Sequence, residues 1–215
     1  MASFADEVAA SLLPRLSLPN EFRSLFEWMD AHGYVRRYRN NGKRCAGLYP
    51  PEHADEGTSL VTFHAVDRDY VRGWTRGNEE EAARLAPIVR TGGDGSHAAL
   101  WINNEGKQRF VHLGSGSGST MLCVLTDSPV DMLRLIAIGY DELSWPENFA
   151  GTPEEAREFD EDENYVAPLA FRNFVEASFG VKVPETASEI VGSTSSLLDK
   201  SSDDPFWRWI NSFDS

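Results

Sequence analysis

Apolar residues at Phe4, Val8, Leu12 and Leu13 recur at helical spacing and predict a short amphipathic helix that ends before Pro14. A second helix is expected from about Asn20, with Phe22, Leu25, Phe26 and Met29 on its buried face and Gly33 as its stop. The pattern then changes to short runs. Asn40-Asn41-Gly42 is a hairpin signal between strands over Tyr34–Arg39 and Lys43–Tyr49. Pro50–Gly57 reads as a loop and Ser59–Val66 alternates like a strand. Asp67–Trp74 predicts a short helix, and Asn78–Thr91 a longer one capped by Asn78, with Glu79, Glu80 and Glu81 in its positive first turn. Pro87 is expected to kink that second helix.

The stretch Gly93–Leu143 organises the rest. Ala98–Asn103, Gln108–Leu113 and Thr120–Thr126 are rich in β-branched, aromatic or aliphatic residues and bounded by turn residues, so they predict three strands. Asn103–Lys107 suits a hairpin with Gly106 in the left-handed conformation, but the register stays open. A three-residue loop pairs Leu100 with Phe110; a two-residue turn sets Trp101 opposite Phe110 or Gln108 and exchanges the buried face. Gly114–Ser119 reads GSGSGS. It lacks both the dinucleotide fingerprint and a following Lys-Ser/Thr, and a strand follows it, so it predicts a flexible connector and no phosphate cradle. Ser128-Pro129 then starts a helix in which Met132, Leu135, Ile136 and Gly139 share a face broadened by Val130, Leu133, Ala137 and Ile138. A helix so apolar must be covered on most sides and is expected across the sheet.

Beyond Leu143, Thr152-Pro153 starts another helix, and Ala167–Phe179 carries Phe171, Phe174, Val175 and Ser178 on one face before Gly180. Ser193–Ser202 is Ser-rich and is expected to be mobile. Asp204-Pro205 opens a terminal helix whose Phe206, Trp207, Trp209 and Ile210 must dock on the body. The pattern as a whole predicts an α+β fold: an antiparallel or mixed sheet of about five or six strands with helices packed against it. It divides into a core over residues 1–150 and an acidic helical extension over 151–215 packed on that core.

The order of these segments resembles a known family. The lead-in Thr91–Ser96 (TGGDGS), the strand Ala98–Asn103, the run VHLGSGSGS, the acidic-Ser-Pro-capped helix and its ending at Gly139-Tyr140-Asp141-Glu142-Leu143 are similar to the SUKH superfamily, the SMI/KNR-like proteins. Phe171–Val191 and Asp204–Ile210 look like a tail of one bacterial branch. The resemblance implies a SUKH-type fold. It also implies a non-enzymatic role, since the family holds bacterial immunity proteins that neutralise secreted toxins and fungal cell-wall regulators. None of the matching motifs is catalytic.

Charge sharpens this picture. The 215 residues carry 34 acids against 20 bases, net −14, which disfavours nucleic acid as a partner. The excess is uneven: residues 1–150 hold 20 acids and 15 bases, residues 151–215 hold 14 and 5, so the nets are −5 and −9. Glu154, Glu155, Asp160, Glu161, Asp162 and Glu163 concentrate it and are the candidate partner-binding residues, facing a basic protein such as a nuclease toxin domain. The bland alternative is a solvated helix that keeps the chain soluble. The basic run Arg36, Arg37, Arg39, Lys43 and Arg44 reads as solvated strand faces balanced by nearby acids.

Catalytic and metal chemistry find no foothold in the spacing. His32, His53, His64, His97 and His112 lack zinc spacing, and two cysteines are too few for a disulfide framework. Cys123, inside an apolar strand, is expected to be a buried thiol. His97 and His112 are expected as neighbours across the hairpin, as a satisfied strand pair or as a ligand or acid–base pair. The acidic run at Asp160 starts like a calcium loop, but Tyr165 stands where glycine is required and Phe171 where glutamate is. No cofactor and no metal are expected. The acidic N-terminus is not a signal peptide and no apolar run reaches the ~18 residues of a membrane span, so a cytoplasmic protein is expected. A host regulator without a toxin, or an enzyme of unrecognised type, are the alternative functions.

Overall fold

The computed structural model describes residues 2–38, 42–53, 57–157 and 165–214. Helices α1 (Phe4–Ser11) and α2 (Asn20–Ala31) come first. The Ser3 hydroxyl caps α1 by accepting from the Asp6 N–H at 3.0 Å. Gly33 ends the α2 turn at φ +77°, a conformation that only glycine adopts without strain. Strands β1 (Val35–Arg37), β2 (Arg44–Ala46), β3 (Thr62–His64), β4 (Leu85–Arg90), β5 (His97–Ile102), β6 (Gln108–Leu113) and β7 (Leu122–Thr126) follow. They lie side by side in chain order, each antiparallel to the next, so the described residues form a seven-stranded antiparallel sheet. Helices α3 (Arg68–Trp74) and α4 (Glu79–Ala82) separate β3 from β4, and α5 (Pro129–Ala137) follows β7. Helices α6 (Pro153–Ala156), α7 (Leu169–Phe179) and α8 (Pro205–Asn211) complete the α+β fold.

Alternation sorts side chains between two covered faces. On the inner face Ala46, Phe63, Val89, Ala98, Leu100, Phe110 and Cys123 pack with α1, α2, α5 and α7. Phe22, Phe26, Phe63 and Phe171 meet there with ring centroids 5.4–6.3 Å from Phe63. On the outer face Leu85, Ala99, Trp101, Val111, Leu113 and Leu122 pack under α3, α4 and α8. Helix α5 is buried along Met132, Leu133, Leu135, Ile136 and Ala137, as its breadth of apolar residues requires. Arg172 of α7 donates to the terminal carbonyls of Ala137 and Ile138, a cation at the negative end of α5. The hairpin register is the three-residue form: Leu100 faces Phe110, and Gly106 takes φ +79°.

Three expectations need correction. Asn78–Thr91 is not one helix. Asn78 caps α4, its side chain accepting from Glu80 and Glu81 N–H groups, but that helix stops at Ala82 and Leu85–Arg90 is a buried strand. Pro87 cannot donate to a ladder, and the register shifts between Pro87 and Val89 in the pairing with β5, a bulge that accommodates it inside the sheet. The Ser-rich stretch is docked rather than loose: Leu122 N–H donates to Ser195 O at 2.7 Å and Leu197 N–H to Thr120 O at 2.7 Å. It shields the outer edge of β7 from further pairing. The strand expected over Ser59–Val66 is only Thr62–His64. Asn40 and Asn41 of the expected first hairpin turn lie outside the described residues.

Helix α8 docks as its aromatics demand. Phe206 and Trp209 stand 5.2 and 5.6 Å from the buried Trp101 ring. Asp204 fastens it twice. One carboxylate oxygen accepts from Phe206 and Trp207 N–H groups, capping the helix, and the other accepts from Val124 N–H on β7 at 2.9 Å. Asp204→Ala is therefore expected to cost about 1–2 kcal/mol in thermal unfolding, whereas Asp203→Ala, which loses an exposed ion pair with Arg208, should change less than about 0.5 kcal/mol.

Candidate functional site

The outer face is apolar only where helices cover it. Register continues the same face toward β1: Arg90 lies opposite His97 and Thr62, Cys45 opposite His64, and Arg36 opposite Cys45. Here the alternate positions are polar, and the chain opens a cleft of about 490 Å³. Tyr38, Lys43, His64, Asp67, Arg90 and His97 line it, beside Ala65 and Val66. Two imidazoles meet in this cleft edge to face with centroids 5.1 Å apart, and Tyr70 of α3 packs on the second at 4.5 Å.

Both rings have a defined tautomer. A backbone carbonyl can only accept, so Nδ1–H of His64 donates to Ala65 O at 2.9 Å and Nδ1–H of His97 to Gly95 O at 2.8 Å. Each Nε2 is left as an acceptor. That of His64 is buried with no hydrogen-bond partner among the described residues. Burial holds the His64 pKa below the usual imidazole value; burial and the neighbouring His64 hold His97 down to about 3. Both rings are neutral at pH 7.

The cations around them differ in what they meet. Lys43 pairs with Asp67 at 3.1 Å, and Arg44 with Asp30 at 2.6 Å and Glu7 at 3.3 Å, balancing much of the basic run. Arg90 instead donates Nε–H to Gly92 O and an Nη2–H to Gly93 O, with no carboxylate partner among the described residues. It acts electrostatically on Tyr38, His64 and His97 alike. This convergence escaped the sequence reading. Its trace was the alternation Arg36-x-Tyr38, Lys43-x-Cys45 and Thr62-x-His64, of which only the last flanks a buried residue, Phe63.

His97 and His112 do not pair. His112 lies opposite Ala98, so it points to the inner face while His97 points to the outer. It sits in a buried chain of hydroxyls. Its Nδ1–H donates to Met121 O at 3.0 Å, Nε2 accepts from Thr91 Oγ1 at 2.9 Å, and Thr91 accepts from Ser144 Oγ at 3.2 Å. Burial lowers its pKa to about 4, so it is a satisfied neutral imidazole. Burial also pushes the Cys123 thiol up to about 12, an inert buried group.

The GSGSGS loop is a connector, but a fixed one. Its donors serve a carboxylate of the chain itself: Asp94 accepts from Ser96 N, Ser96 Oγ, Ser115 Oγ and Ser119 N at 2.8–2.9 Å. The loops Gly92–Ser96 and Gly114–Ser119 are thus tied to each other.

Of the acidic candidates, Glu154 and Glu155 are exposed in the first turn of α6. Glu155 completes a capping box with Thr152, accepting from its N–H at 2.8 Å. Asp160, Glu161, Asp162 and Glu163 lie outside the described residues. Burial raises the pKa of the Tyr165 and Tyr140 phenols; Glu154 and Asp141 add to it at Tyr165 against Arg172, and Glu155 and Glu189 add to it at Tyr140, while Asp141 itself pairs with Arg157 at 2.7 Å. Among the described residues no group of three or more His, Cys, Asp or Glu is arranged to hold a metal ion, and no helix is long and apolar enough to cross a membrane. Comparison of the chain with protein-family models, curated proteins and solved structures finds no match.

Proposed function

We propose that this chain is a non-enzymatic binding protein for a basic protein partner, in the manner of the SUKH-type immunity proteins that it resembles. The observation that carries this reading is the exposed pair Glu154 and Glu155 in the first turn of α6, where the most acidic part of the chain begins. Such a face steers a cationic domain, a nuclease toxin above all, and raises its association rate.

The test is neutralisation. The product of a neighbouring large gene is expressed in a bacterial host with and without this chain, and growth is followed. Rescue by the wild type is expected. Replacing Glu154, Glu155, Asp160, Glu161, Asp162 and Glu163 by Gln or Asn should leave thermal unfolding within about 0.5 kcal/mol, apart from the capping loss at Glu155. The same change should slow association with the purified partner about tenfold or more at low salt, with the difference shrinking as salt is added. An association rate equal to wild type and indifferent to salt would remove this face from the reading.

A further inference from the structure

We propose that the outer-face cleft between β1 and β5 is a binding site for a small organic anion that also carries an N–H or O–H donor. This site is separate from the acidic face and does not depend on the protein-binding role. The argument is an inventory of what the cleft leaves unused. Lys43 and Arg44 are already neutralised by Asp67, Asp30 and Glu7. Tyr38 is engaged with Thr62, their hydroxyl oxygens 3.0 Å apart. What remains is the Arg90 guanidinium, held in place by two backbone carbonyls, and the Nε2 lone pairs of His64 and His97. A buried acceptor without a donor is costly, so His64 Nε2 marks a position that a ligand donor would satisfy.

Charge selects among ligands. Two neutral imidazoles with their Nδ1–H groups fixed on carbonyls also suit a transition metal. Here, however, the cleft lining carries three cations, Lys43, Arg44 and Arg90, against two carboxylates, Glu7 and Asp67, so a divalent cation would enter against a net positive charge. No third metal donor is arranged with them among the described residues. An anionic group on Arg90 with its donor reaching the imidazoles uses all three free functions. A cleft of about 490 Å³ has room for a molecule of nucleotide size, and Ala65 and Val66 offer it an apolar wall.

The experiment uses the full chain, with long-range ¹⁵N spectra of the imidazoles at pH 7 and calorimetry. The probes are adenosine monophosphate and tartrate, which combine anion and donors. Adenosine keeps donors without the anion, acetate keeps the anion without the donors, and Zn²⁺ tests the metal reading. The expected result is that adenosine monophosphate or tartrate shifts the Nε2 signals of His64 and His97 and binds at least about tenfold more tightly than adenosine or acetate. Arg90→Gln should weaken that binding about tenfold, and His97→Phe should weaken it in calorimetry while His64 remains to report the ligand. Arg90→Gln lies at the cleft rather than in the core, so it tests the proposal even if His97→Phe fails to fold. The assignment is overturned if neither anion moves either ring at about 10 mM, if binding survives unchanged in Arg90→Gln, or if Zn²⁺ alone engages both rings.

Discussion

Phe63→Ala is expected to destabilise the protein by about 3–5 kcal/mol, a fifth or more of the ~5–15 kcal/mol of total stability usual for a domain. Phe63 sits on the inner face of β3 and is fully buried. Its ring stands 6.3 Å from Phe22 and 5.4 Å from Phe26 on α2, and 6.2 Å from Phe171 on α7. One short strand thereby joins a helix from the start of the chain to one from its last third. Truncation removes contacts to both helices and leaves a cavity that the β2 and β4 neighbours, fixed in the ladder, cannot collapse into. Phe63→Leu keeps most of the volume and should cost less than about 2 kcal/mol. Leu60→Ala, three residues away on an exposed side chain, should stay within about 0.5 kcal/mol. Urea unfolding measures all three. A loss below about 1 kcal/mol for Phe63→Ala would show that the aromatic cluster is not a single packed unit.

How much of this was legible in the sequence depended on whether the signal was local. Caps were readable because they are set by neighbours: Asn78 before α4, Ser128 before α5 and Thr152 before α6 all accept from the first-turn N–H groups of their helices. The apolar breadth of α5 announced its burial for the same reason. The strand at Leu85–Arg90 was hidden because Glu79–Ala82 begins a true helix and nothing local says that it ends after one turn. Only pairing with β3 and β5 turns the following apolar run into a central strand. The outer-face cleft was hidden more deeply. His64, Arg90 and His97 are scattered along the chain and meet only through the register of three strands, one of them bulged. His97 and His112 illustrate the converse: close in the hairpin, they are parted by a single step in register that sends them to opposite faces.

Asp94→Ala is expected to cost about 2–3 kcal/mol, less than four charge-assisted bonds would suggest, because the carboxylate is partly exposed and the bonds are not additive. The substitution strands Ser96 N–H, Ser119 N–H and the Ser115 hydroxyl at once, and unties the two glycine-rich loops. The close fit shows in Gly118, where an added Cβ would lie 2.7 Å from Asp94 Cβ. These bonds outweigh the burial that opposes them and lower the Asp94 pKa from 3.8 to about 2. A depressed carboxylate pKa adds stability above its unfolded value and loses it as pH falls through the folded one, so the Asp94 contribution should fade between 3.8 and about 2. The buried His112 acts in a different window. Its pKa is lowered from 6.5 to about 4, so the unfolded chain takes up the proton first and stability falls as pH drops through that interval. Stability of wild type and Asp94→Ala, measured by urea unfolding from pH 7 down to about 2, separates the two. Both proteins should lose stability below 6.5 through His112 and through His64 and His97, whose pKa values are lowered as well. The gap between them should stay constant to about pH 4 and then close, since only the wild type has the carboxylate to lose. A gap that stays open at about pH 2 would mean that the loops are held by packing rather than by the charge of Asp94.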